Sequence, residues 1–447
     1  VSLTREFLSA AVESAMPRVR ADLAELVAIP SVSADPARAA DVRRSAEKVA
    51  ELARELGAAE VSVVTEEGGQ PAVLAHWPAP EGQPTVCLYA HHDVQPTGPL
   101  GQWTSEPFAA TERGSRLFGR GAADDKGGLS VHLAALRAFD GRPPVGVTLF
   151  VEGEEEIGSP TLAATLDAHG EAIASDVFVI ADSANWDVGE PAFTTTLRGL
   201  ADCVVEVSTL DHALHSGQYG GVVPDALTTL CRLLATLHDE NGSVAVAGLV
   251  GSDGPELDYP EERLRAETGL LDGVEWIGTG SVVSRLWTQP AITVIALDAT
   301  PVAEASNTLI PTARAKISLR VPPAMDADQA LDHLVAHLVE RAPWGAQVSV
   351  ERGSTGQPST IPVTGPHADV ARRAFAEAWG REPVEIGQGG SIPMVAEFVN
   401  RFPDATVLVT AVVDPDSRMH GIDESVHLPD LEKACLAEVL LLAGLAR

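Results

Sequence analysis

Thr85-Val86-Cys87-Leu88-Tyr89-Ala90-His91-His92-Asp93 is the stretch on which the reading of the fold turns. An apolar run suited to a buried strand stops abruptly at two imidazoles and a carboxylate. The pattern recurs along the chain. Val145 to Val151 runs into Glu152-Gly153-Glu154-Glu155-Glu156, and Asp176-Val177-Phe178-Val179-Ile180-Ala181 runs into Asp182. Ala405 to Val413 leads, after a short loop, to Met419-His420-Gly421. Between the first two runs, Gly119-Arg120-Gly121-Ala122-Ala123-Asp124-Asp125-Lys126-Gly127-Gly128 opens a helical stretch from Leu129 to Phe139. In open α/β sheets, sites assemble at the carboxyl ends of strands. Two imidazoles and three carboxylates converging there suit a hard-to-borderline divalent cation such as zinc or manganese.

Each motif alone has a plainer reading. A single Asp after a strand, such as Asp182, commonly caps a turn or a helix. Asp124-Asp125 before a helix would be favoured by the helix dipole. His92 points to the opposite strand face from His91 and reads as packing; His427 and His212 stand outside the motifs. Three successive carboxylates, Glu154-Glu155-Glu156, are harder to explain without a cation, because like charges resist ionising together. The joint reading is a metal centre.

The motifs resemble those of the di-zinc metallopeptidases that include cytosolic non-specific dipeptidase, carnosinase, aminoacylase and glutamate carboxypeptidase. The resemblance runs in order from the His91 block to the His420 block. It implies that His91 and Asp182 hold one metal, that Glu156 and His420 hold the other, and that Asp124 bridges them. It also implies that the Asp124–Asp125 peptide is cis. Asp93 would hold the His91 imidazole, Glu155 would be the general base, and His215 would be a lid histidine reaching a partner subunit's site. Arg320 would hold a substrate carboxylate, helped by the Gly389-Gly390-Ser391 loop and by Asn307-Thr308. Two metal ions per subunit are implied: zinc, with manganese or cobalt as alternatives. Asp182, rather than glutamate, places the chain nearer the dipeptidase, aminopeptidase and aminoacylase branches than the carboxypeptidases.

The chemistry agrees with the residue types. Two ions roughly 3.5–4 Å apart can lower the pKa of a water and polarise a carbonyl. A neighbouring carboxylate can take that water's proton and return it to a departing amine. The expected activity is metal-dependent hydrolysis of dipeptides or short peptides with a free C-terminal carboxylate. An aminoacylase acting on N-acyl amino acids is the alternative. A non-catalytic metal-containing binding protein is a third reading, opposed by Glu155, since a structural site needs no spare base.

Composition sets the remaining bounds. At 447 residues, 45% hydrophobic and 21% charged, the chain has the length of two or three globular domains with ample core. A net charge of −32 argues against nucleic acid as a partner. No apolar run reaches the 18 or so residues of a membrane span, so no membrane is expected. Val1 to Arg20 carries Glu6 and Glu13 and lacks a signal-peptide core. Four widely spaced cysteines without a C-x-x-C pair fit a reduced, cytoplasmic setting.

Periodicity divides the chain. Ala39 to Gly57 reads as an amphipathic helix, and alternating strand and helix signals continue to Asp182. Then follow a strand at Leu200–Val207, a helix at Asp225–His238 and strands at Ile292–Leu297 and Ala313–Val321. A helix at Asp326–Arg341 and a strand at Gln347–Glu351 complete a β-α-β-β-α-β ferredoxin-like order. The expected fold is α/β: a catalytic domain with a mixed, mostly parallel sheet flanked by helices, plus an inserted α+β ferredoxin-like lid and dimerisation domain. The expected boundaries are 1–195 and 359–447 for the catalytic domain and 196–358 for the insert, with a homodimer as the assembly. Residues 240–290 give no clear pattern.

Overall fold

The computed structural model describes residues 4–390 and 392–446. They form two compact units, Val1–Thr195 with Ile361–Ile386 and Pro393–Arg447, and Thr196–Thr360 with Gly387–Ile392.

The first unit is built on a six-stranded sheet in the order Glu60–Val64, Ala72–Trp77, Gly146–Glu152, Thr85–His91, Val177–Ile180, Thr406–Val409. Ala72–Trp77 pairs antiparallel with both neighbours, and the remaining pairings are parallel. The strand Thr85–His91 is buried along both faces, which explains an apolar run without alternation. Its Val86, Leu88 and Ala90 enter a core shared with helices Arg5–Val27, Lys126–Ala138, Pro366–Trp379 and Leu428–Leu445. Tyr89 points the other way, against Phe150 and Phe398, and Phe398 lies 4.4 Å from Phe178 between ring centroids. Helix Pro393–Arg401 supplies Phe398 and so covers this second face. From Thr85–His91 the chain moves to one neighbouring strand, Gly146–Glu152, and then to the other, Val177–Ile180. That reversal opens a crevice at the carboxyl ends.

Helix Lys126–Ala138 begins directly after Asp125. A Cβ on Gly128 would fall 2.0 Å from Asp125 Oδ1 and 2.4 Å from the Ala181 carbonyl. One on Gly127 would fall 2.6 Å from the Ala122 carbonyl. The two glycines are therefore what lets the helix approach the strand ends closely enough to present Asp124 there.

The second unit carries a four-stranded antiparallel sheet in the order Ala291–Asp298, Thr312–Val321, Gly199–Ser208, Gln347–Gly356. Helices Ala226–Leu234 and Ala327–Glu340 complete the ferredoxin-like order. Alternation is clean here. Ala201, Cys203, Val205 and Val207 are buried with Ala313, Ala315, Ile317 and Leu319, while intervening positions are more open. Asp225 and Asp326 cap the two helices by accepting from Thr228 N and Gln329 N, each at 2.9 Å. The interval 240–290 contains two short helices, Glu261–Thr268 and Val282–Trp287. Among the described residues no helix is long and apolar enough to cross a membrane.

Candidate metal centre

His91 is the last residue of its strand, opposite Glu152 in the ladder, and its main-chain N–H donates to Asp125 Oδ2 at 3.1 Å. Its Nε2 lies 3.1 Å from Asp124 Oδ1, 3.9 Å from Asp182 Oδ1 and 4.0 Å from Glu155 Oε2. On the far side of Asp124, His420 Nε2 lies 2.9 Å from Asp124 Oδ2 and 3.2 Å from Glu156 Oε2. Two triads result, His91–Asp124–Asp182 and Asp124–Glu156–His420, each with its ligand atoms within 4.8 Å of one another. Asp124 belongs to both through different oxygens, and its peptide bond to Asp125 is cis.

The arrangement of the Asp93 side chain is more distributed than a simple imidazole–carboxylate pair. His91 Nδ1 lies 3.1 Å from the Asp93 main-chain carbonyl and 3.4 Å from Asp93 Oδ1, while Asp93 Oδ2 accepts from Glu156 N at 3.2 Å. Asp93 therefore steadies a residue of each triad. His92 turns away, within 2.8 Å of the Pro71 carbonyl, and burial pushes its imidazole down to about 4. It is a packing residue.

Electrostatics at the centre favour cations. Burial, followed by the Glu155 charge, raises Asp182 well above the usual carboxylate range. Glu155 is pushed up to about 8, by burial first and then by Glu156, Asp124 and Asp93 against the lowering influence of His91. Hydrogen bonds to Asp124 and Glu156 hold His420 up at about 10. Protons thus sit where divalent ions would displace them, and binding such ions would release protons. Asp182 Oδ2 is buried without a hydrogen-bond partner, as expected of an oxygen aimed at a ligand. The nitrogen and oxygen donor set fits two zinc or manganese ions.

His215, Asn307, Thr308, Arg320 and Gly390 belong to the second unit, and Ser391 lies outside the described residues. His215 pairs with Thr308 in a short antiparallel bridge, and Ser216 N donates to the Asn307 carbonyl at 2.9 Å. These three are neighbours although ninety residues separate them in sequence. His215 is exposed, its Nδ1 accepting from Gly217 N at 3.1 Å. Arg320 stands opposite Leu200 and has no ion pair or hydrogen-bonded side-chain partner among the described residues.

Sequence reasoning missed several supporting groups. Gln95 donates to Glu156 from both its main-chain N, 3.1 Å, and its amide Nε2, 2.7 Å. The Glu424 carboxylate accepts from the amides of the loop that carries Asp124. Neither has a signature of its own in the sequence.

Comparison with known proteins points the same way as the geometry. Residues 87–443 match peptidase family M20/M25/M40. A cysteinylglycine-S-conjugate dipeptidase of Corynebacterium striatum is 35% identical over 428 residues, covering 94% of each chain. A beta-Ala-His dipeptidase of Rattus norvegicus is 27% identical, covering 92% of this chain and 85% of its own. The dipeptidase Dug1p of Saccharomyces cerevisiae has the same fold, with a TM-score of 0.83 at 22% identity, covering 100% of this chain and 99% of its own.

Proposed function

The chain belongs to peptidase family M20/M25/M40 and is a metal-dependent peptidase, and from that premise we propose that it is a di-metal dipeptidase cleaving substrates with a free C-terminal carboxylate. The observation that carries the reading is the pair of triads sharing Asp124, with Glu155 Oε2 4.0 Å from His91 Nε2 and part of neither triad. Ions bound there would supply an acidified water and an electrophile for the scissile carbonyl. Zinc is the ion we propose, with manganese or cobalt able to substitute.

Glu155 would accept the attacking water's proton and deliver it to the leaving amine. A carboxyl group beside the metal ligands but not itself one can serve both steps, as general base and then as general acid. Asp93 would keep the His91 ring oriented through its main-chain carbonyl, with its carboxylate close behind, in the way that partners behind metal-bound histidines do. Arg320, an arginine with no acidic partner among the described residues, is proposed to hold the substrate's terminal carboxylate by a charge-assisted fork. Gly390, Ser391, Asn307 and Thr308 would line the same substrate. His215 would donate to the developing oxyanion. Relatives named for Cys-Gly conjugates and for β-Ala-His make unsubstituted dipeptides the first substrates to try.

The 196–358 segment is proposed as lid and dimerisation domain. Its edge strand Ala291–Asp298 leaves Ile295 55% and Leu297 45% exposed. An open apolar edge invites pairing with a second copy, and the exposed His215 suits service to a partner subunit's site. The four cysteines are free and three are buried, which supports a reducing, cytoplasmic compartment.

Glu155→Gln tests the assignment. It should lower kcat by about 10²–10⁴-fold, the range for general acid–base catalysis, while metal content stays unchanged. A variant that loses metal instead would make Glu155 a ligand and the base another group.

A further inference from the structure

Arg120, four residues before Asp124, and Glu424, four residues after His420, form an ion pair at 2.5 Å with both side chains excluded from solvent. Burying two charges is costly unless further hydrogen bonds satisfy them. Here almost every such bond goes to the loops that carry metal-site residues. Glu424 Oε1 accepts from the amides of Ala123 at 3.0 Å and Asp124 at 3.1 Å, and Oε2 accepts from Gly121 N at 3.1 Å. Arg120 Nη2 donates to the carbonyls of Pro96 at 3.1 Å, His420 at 3.1 Å and Gly421 at 3.0 Å. The acid grips the backbone that presents Asp124. The guanidinium grips the backbone that presents His420.

That second backbone needs a grip. Arg418, His420 and Asp423 have φ of 53°, 61° and 58°. Non-glycine residues hold this left-handed region only when their surroundings impose it. The other triad is supported differently. His91 lies in the sheet ladder opposite Glu152, and Asp182 follows a strand whose Ile180 is registered with both Tyr89 and Val409. The sheet fixes His91 and Asp182, whereas His420 depends on a loop.

We propose that Arg120 and Glu424 are a positioning pair that sets chiefly the metal affinity of the Asp124–Glu156–His420 site, the other site being affected less because the sheet holds His91 and Asp182 while only Asp124 is shared; this rests on the di-metal reading above. Loosening the pair lets the His420 loop relax, and the ion held there is lost first.

The test is titration of metal-free protein with Zn²⁺ alone, by calorimetry, with metal analysis after dialysis. Wild-type protein should bind two equivalents. Glu424→Gln keeps the shape and removes the charge; it should bind the second equivalent about 10–100-fold more weakly, the usual effect of losing an outer-shell partner, with a clearly smaller loss at the first. Arg120→Lys, which keeps the charge but not the fork, should fall between the two and carries the same comparison if the Gln variant does not fold. Asp22→Asn is the control. It removes the charge from a part-buried contact to Arg137 at 2.7 Å, in the last turn of helix Lys126–Ala138 and so at the end away from Asp124, and should lower Tm while two tight equivalents remain. Two tight equivalents in Glu424→Gln, equal weakening of both sites, or the same weakening in Asp22→Asn would each overturn the proposal. A wild-type protein binding fewer than two ions would overturn the di-metal reading itself, and the pair's role with it.

Discussion

At the scale of single residues, Asp124 is the point on which the centre depends. One carboxylate oxygen faces His91 and the other His420, so Asp124→Ala should remove both ions, whereas Asp182→Ala should remove one; metal analysis after dialysis separates the two outcomes. Asp182→Ala depleting both would mean that the triads do not fill independently. The five residues of the two triads were legible as neighbours because each ends an apolar run or opens a glycine-rich helix, and sheet topology gathers such ends. Arg120 and Glu424 were not. Apart from Pro96, their main-chain partners lie about three hundred residues away in sequence, and nothing local marks a glutamate that will accept four hydrogen bonds. Gln95 is a similar case, since a glutamine after a strand reads as ordinary loop.

At the scale of elements, the helix Lys126–Ala138 is tied to its surroundings by a buried pair. His132 Nδ1 lies 2.8 Å from Glu438 Oε2 on helix Leu428–Leu445, and Nε2 lies 2.9 Å from the Tyr89 carbonyl. Burial lowers the His132 pKa, but the Glu438 charge and the hydrogen bonds outweigh it and the net shift is upward. The folded state therefore binds this proton more tightly than the unfolded chain. The stabilisation is full below the unfolded value near 6.5 and is lost as pH rises through the folded value. Glu438→Gln should cost about 1.5–3 kcal/mol at pH 6, the worth of a hydrogen bond to a charged group, with the deficit shrinking at higher pH in denaturant titrations. A deficit independent of pH would mean that His132 is neutral throughout. Strands with clear periodicity, such as Gly199–Ser208 and Thr312–Val321, were readable because one face is buried and the other is not. The helix Arg5–Val27 escaped notice because Pro17 and scattered charges interrupt its apolar stripe. Glu261–Thr268 and Val282–Trp287 are too short to show a period amid glycine-rich loops.

At the scale of the whole molecule, the claim is an assembly and an activity. If His215 serves a partner's site, mixing inactive His215→Ala with inactive Glu155→Gln subunits should restore part of the activity once exchange is demonstrated. Continued silence after exchange would confine each site to its own chain. The family was legible because its motifs keep their order from His91 to His420, whereas the substrate was not, because the grip proposed for Arg320 and the Gly390 loop would suit any C-terminal carboxylate. The most direct measurement is turnover by metal-stripped protein, re-supplied with zinc or manganese, on free dipeptides beside their N-acetylated forms. Hydrolysis of the free dipeptides, absent without metal and restored by it, is the predicted result. Activity confined to the N-acetylated substrates, or undiminished after the metal is removed, would contradict it.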